Sequence, residues 1–117
     1  MTTKEDIQKY VAQHTDRYKS GDPIFRILLF ENPDAPPGIG ELNDMGFYYD
    51  LHNAIKAMHE NRCDIRETCF NAGFILCHFQ GLYETTTNQE RMYILWDDEK
   101  EGFYEAEEPE KFANLGF

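Results

Sequence analysis

Basic residues are scarce in this chain: Lys and Arg number 11 against 22 Asp and Glu, a formal charge of −11 over 117 residues. Phosphate backbones and anionic bilayers are bound by basic faces, so direct binding of nucleic acid or of an anionic membrane is excluded on charge. Long apolar runs are missing too. The longest strongly apolar run, Ile27-Leu28-Leu29-Phe30, is four residues, far short of the roughly 20 that a membrane-spanning helix requires. Cysteine is sparse and odd in number. Cys63, Cys69 and Cys77 are spaced six and eight apart, with no C-x-x-C pair and no charged segment leading into an apolar one at the amino terminus. That pattern points to a reduced, cytoplasmic protein.

Apolar residues make up 41% of the chain and glycine contributes 8 more positions, the ordinary range for a globular fold. The length suits one domain spanning residues 1–117. A helix is expected from about Lys4 to Lys19, with Thr3 as N-cap and Ile7, Tyr10, Val11, His14 and Tyr18 along one face. Ser20-Gly21-Asp22-Pro23 stops it. Residues 24–30 (IFRILLF) carry one charge, Arg26, and read as a central strand covered on both faces. Residues 31–46 hold three prolines, three glycines and four acids and read as a loop of unusual length.

Asp50 is placed to cap a second helix running to about Asn61, with Leu51, Ala54, Ile55 and Met58 turned inward. Residues 63–68 are ambiguous between a turn and a helical extension, and residues 69–79 (CFNAGFILCHF) return to strand composition. A polar connection over 81–90 leads to RMYILWD (91–97) and GFYEA (102–106), which flank Asp98-Glu99-Lys100-Glu101 as a β-hairpin. The tail from 107 to 117 is acidic in its first half and carries Phe112 and Phe117, rings that either dock or stay loose. The order α-β-α-β-β-β predicts a small α+β domain with a mostly antiparallel sheet of about four strands and two helices, one sheet face being left open.

Motif chemistry is thin. His52 and His59 are seven residues apart, two helical turns, or about 10 Å, too far for one metal ion to bridge. Cys77 and His78 are neighbours in a strand and point to opposite faces, so they do not form a nucleophile and base pair. Pro36-Pro37-Gly38-Ile39-Gly40-Glu41 lacks the Lys-Ser/Thr of a phosphate-binding loop and the third glycine of a dinucleotide fingerprint. With 22 acids, chance carboxylate pairs are uninformative. No catalytic residue, metal or cofactor is therefore expected, and the protein reads as a non-enzyme.

What stands out is where the charge sits. Residues 97–117 hold eight acids and two bases, a charge of −6 in less than a fifth of the chain. Two readings compete. In one, these acids only keep the protein soluble. In the other, Asp97, Asp98, Glu99, Glu101, Glu105, Glu107, Glu108 and Glu110 form, with Trp96, Phe103 and Tyr104, a face for a basic protein, charge steering the encounter and rings anchoring it. Proteins with basic grooves are mostly nucleic-acid-handling enzymes, so an acidic protein of this size would occupy such a groove in place of phosphate. On this reading, reversing the charges of Glu105, Glu107 and Glu108 weakens the complex.

Between residues 47 and 110, the segments FYYDLHNAIKAMHENRCDI, GLY (81–83) and ILWDDEKEGFYEAEEPE resemble small acidic proteins of gut bacteria and their mobile elements. Anti-CRISPR and other anti-defence proteins are similar in kind. The resemblance implies a setting in phage or mobile elements and brings no catalytic residue with it. The leading expectation is an inhibitor of the anti-CRISPR kind, and an antitoxin or immunity protein is the alternative. A ligand-binding domain or small enzyme, with loop 31–46 as a lid near His52 or His59, is the third. A homodimer through an open sheet face is compatible with each.

Overall fold

A computed structural model describes Thr3, residues 20–80 and residues 91–115. The expected helix over 4–19, the polar connection 81–90 and Phe117 lie outside these described residues. The described elements are strand β1 (Ser20–Phe30), strand β2 (Asn43–Tyr48), helix α1 (Leu51–His59), strand β3 (Ala72–Gln80), strand β4 (Arg91–Asp97) and strand β5 (Gly102–Glu105). All neighbouring strands are antiparallel, in the order β2-β1-β3-β4-β5. The fold is α+β, with five strands rather than about four.

The extra strand comes from the segment read as loop. Asn43-Asp44-Met45-Gly46-Phe47-Tyr48 has weak strand propensity, and it extends because β1 offers a partner edge, pairing Arg26 with Phe47 and Phe25 with Tyr48. A bulge accommodates the poor fit: Ile27 faces Gly46 and Leu28 faces Asp44, leaving Met45 as the extra residue. Gly46 adopts φ 115° there, a conformation natural only to glycine. The true loop is thus 31–42, with a short 3-10 turn at Ile39–Glu41. Residues 62–70 form a chain of tight turns, with Cys63, Asp64, Glu67 and Thr68 in the left-handed region. This delays β3 to Ala72, three residues later than its composition suggests.

Alternation along the strands builds two apolar layers. Ile27, Leu29, Ile75, Ile94 and Phe103 face α1 and pack with Ala54, Met58 and Phe70. Leu28, Phe30, Ala72, Phe74, Leu76 and Tyr93 face the other way. The expectation that residues 24–30 are covered on both faces holds for Ile27 to Phe30, at most 6% exposed, but not for Ile24, Phe25 and Arg26, which are partly exposed. Asp50 caps α1 by accepting from the His52 and Asn53 amides. Ala54, Ala57 and Met58 are the buried residues of this helix. Leu51, expected to point inward, is exposed at the first turn.

The second face is divided. Half of it is covered by the carboxy-terminal segment, whose Phe112 is fully buried against Phe30, Phe74 and Tyr93. Phe112 therefore docks. Arg91 locks this cover in place: its guanidinium makes a bidentate bond to Glu108 at 2.8 Å and donates to the carbonyls of Leu115 and Phe112. Beside β2 the described residues of this face are Arg26, Asp44, Phe47 and His78.

Candidate functional site

The acidic face expected from the sequence rests on the β4–β5 hairpin, which is rigid for local reasons. Trp96 pairs with Phe103 and Asp97 with Gly102. Asp97 Oδ1 accepts from the amides of Glu99 and Lys100, ordering the turn, and Glu101 closes it at φ 54°. Gly102 is required because a Cβ there would run into the carbonyl of His59 at the end of α1.

The expected site residues separate into three groups. Phe103 does not belong to a surface: it is fully buried and forms part of the core beneath α1, a correction that follows from the strand pairing that turns it inward. Glu108 is half-buried and committed to Arg91. Charge reversal at Glu108 would break the tail clamp, so that position is unsuited to probing a surface. Asp98, Glu99, Glu101, Glu105, Glu107 and Glu110 are exposed, and no ion pair joins any of them to another described residue. Asp97 is half-buried in its turn-ordering role.

Of the two nearby lysines, Lys100 stays on the hairpin and Lys111 reaches away from it. The Lys100 ammonium lies 4.6 Å from the centroid of the Tyr104 ring, and Lys111 donates to the carbonyl of Asp34 in loop 31–42. Asp97, Asp98, Glu99, Glu101 and Glu105 against Lys100 leave residues 97–105 with a formal charge of −4. Trp96 is half-buried, edge-on to Phe103 at 5.2 Å, with Arg66 stacked 4.4 Å from its ring and its own Nε1 donating to Asp98. Tyr104 stacks on His59 at 4.2 Å. Sequence reasoning missed Arg66 and His59 as supports of the hairpin, because each reaches it from a distant stretch of chain, and missed Arg91 as the residue that holds Glu108.

A small cleft of about 210 Å³ opens beside the hairpin, between α1 and the sheet, floored by Met58, Ile75, Ile94 and Phe103, with His59 and Glu105 also in its lining. No residue of loop 31–42 lines it. That loop lies towards the opposite layer, where Leu42 packs, so the expected lid does not close over His59. His52 is exposed on α1.

A second polar group sits on the part of the second face beside β2. Arg26 donates to Asp44 at 2.6 Å, and its other terminal nitrogen is 3.5 Å from His78 Nε2. Burial opposes ionisation of Asp44, but hydrogen bonds from Arg26 and the Gly46 amide and the charge of Arg26 hold its carboxyl below the ordinary value. His78 is pushed down by burial and by the Arg26 charge, with Asp44 opposing. Among the described residues, no three His, Cys, Asp or Glu side chains group as metal ligands, and no helix is long and apolar enough to cross a membrane. No family model matches the chain, and neither the curated proteins nor the solved structures contain a match.

Proposed function

We propose that this protein is a non-enzymatic inhibitor that binds a basic, nucleic-acid-handling protein through its acidic hairpin, in the manner of an anti-CRISPR or other anti-defence protein. The observation that carries this reading is the set of exposed carboxylates, with no ion pair to another described residue, at Asp98, Glu99 and Glu101 on the turn ordered by Asp97 and at Glu105 and Glu107 beyond it. Charges fixed on a rigid support lose little freedom on binding and steer encounter with a basic groove. Trp96 and Tyr104, half-buried beside them, supply aromatic anchors of the kind that dominate interface energies. The free cysteines Cys63, Cys69 and Cys77 fit a reducing cytoplasmic setting.

The test is capture of host proteins from lysate by the full chain and by a Glu99→Lys/Glu101→Lys/Glu107→Lys variant, at low and high salt. Glu108 is left untouched so that the tail clamp survives. Capture of a basic nucleic-acid enzyme that is lost with the variant and weakened by salt supports the reading. Equal capture by both chains, or none by either, overturns it.

A further inference from the structure

The cleft between α1 and the sheet is not used by the carboxylates of the hairpin turn. Strand pairing builds its floor: Ile75 on β3 pairs with Met92 on β4, and Ile94 on β4 pairs with Glu105 on β5. Directly opposed residues share a sheet face, and Phe103, two residues before Glu105, stands on that face as well. Ile55, Met58 and His59 bring α1 into the lining. Met58, Ile75, Ile94 and Phe103 are at most 2% exposed, whereas Ile55, Met92 and His59 are half-buried and Glu105 is exposed. The cleft is therefore apolar at its floor and carries one carboxylate at its mouth. An apolar cavity of about 150 Å³ admits benzene, and drug-sized ligands and cofactors take pockets of about 300 Å³ or more. At about 210 Å³, this cleft has room for one large side chain and not for a cofactor.

Charge selects what enters. Glu105 is the one lining residue with a formal charge at pH 7, and no ion pair joins it to another described residue. Beside apolar walls, where water is partly excluded, its attraction for a cation is stronger than in open solvent. An anionic group at the same mouth meets repulsion from Glu105 and from Glu101 and Glu107, near it in the chain. The cleft is also continuous with the acidic hairpin. Tyr104, between Phe103 and Glu105, stacks on His59 at 4.2 Å, and Gly102 lies against the carbonyl of His59. A partner held by the hairpin carboxylates thus brings its surface over the cleft mouth. Interfaces concentrate their energy in a few large side chains seated in such pockets and ringed by polar contacts.

We infer that this cleft is the anchor pocket of the acidic interface: it takes one aromatic or large aliphatic side chain from a basic segment of the partner, in which an adjoining arginine or lysine meets Glu105. The inference rests on the hairpin reading and adds the chemistry of the segment that is bound. The experiment is an NMR titration of the full chain, labelled at its Ile and Met methyls, with the peptides acetyl-Arg-Phe-Arg-amide, acetyl-Arg-Ala-Arg-amide and acetyl-Glu-Phe-Glu-amide. The first peptide is expected to shift the methyls of Ile55, Met58 and Met92, and the other two to bind at least about tenfold more weakly. Ile55→Trp, which fills the cleft, abolishes those shifts, and Glu105→Gln weakens the first peptide about twofold to fivefold. Should Ile55→Trp fail to fold by circular dichroism, Glu105→Gln and the peptide comparison decide, because Glu105 is exposed. Cleft methyls that no peptide moves, or that respond equally to the Phe and Ala peptides, overturn the inference. Lysate capture of a basic protein that is equal for Ile55→Trp and wild type also overturns it, and leaves the hairpin reading standing. A wild type that captures nothing overturns the hairpin reading, and the inference with it, whatever the peptides do, so the two failures are told apart.

Discussion

Two arginine–carboxylate pairs stand on the same face of one sheet and do different work. Arg91 is 8% exposed in its side chain, bonds both oxygens of Glu108 and adds two backbone carbonyls. Arg26 is 29% exposed, and its partner Asp44 is 51% exposed. Buried and multiply bonded, the first pair holds a segment of chain over an apolar layer. The second reaches solvent at both partners, and its further contacts among the described residues are His78 and the Gly46 amide. Chemistry is the same in the two, so burial and the number of partners set the energetic weight.

The most severe test of that contrast is removal of what Arg91 holds. Phe112→Ala empties a fully buried ring site between Phe30, Phe74 and Tyr93 and should cost about 3–5 kcal/mol in urea unfolding. Arg91→Met should cost about 2–3 kcal/mol, below the range for a fully buried pair because Glu108 reaches solvent. A double-mutant cycle with Glu108→Gln should show coupling above 1 kcal/mol, as expected for groups in one network. Arg26→Ala, in contrast, should cost less than about 1 kcal/mol. If Arg26→Ala proves as damaging as Arg91→Met, the argument from burial fails.

The smallest effect is on pH. Asp44 and His78 both have folded values below their ordinary ones. A group depressed in the folded state binds its proton more readily when unfolded, so its contribution is present above the unfolded value and is lost as pH falls through the folded one. For His78 that loss begins near its ordinary value of 6.5, and for Asp44 near 3.8. Stability of the wild type should therefore decline between neutral pH and pH ~5, and His78→Gln should flatten that decline. An unchanged slope in the variant would assign the loss to other groups.

Legibility followed the range of the interactions. The hairpin 91–105 was evident because its signals are local: alternating apolar residues on either side of a polar turn. Asp50 as a cap and the doubly covered Ile27–Phe30 of β1 were equally plain. β2 was not, since Asn43, Asp44 and Gly46 argue against a strand and only the waiting edge of β1 extends them. Phe103 shows the same limit within the candidate site. Composition groups it with Trp96 and Tyr104, yet its direction depends on pairing with β4 and on where α1 lies. Glu108 reads as one more acid in a run, and nothing local shows that Arg91, seventeen positions earlier, takes both of its oxygens.

The sequence by itself determined that the chain is acidic and that more than half of its net negative charge gathers in residues 97–117. These are properties of composition and of short segments, which no packing arrangement alters. Tertiary structure alone decided which acids are exposed, that Phe112 of the tail docks on one sheet face, and that Phe47 and Tyr49 stand exposed. Those outcomes depend on strand order and register. Both arise from contacts between residues far apart in the chain, where the geometry of the sheet selects the neighbour.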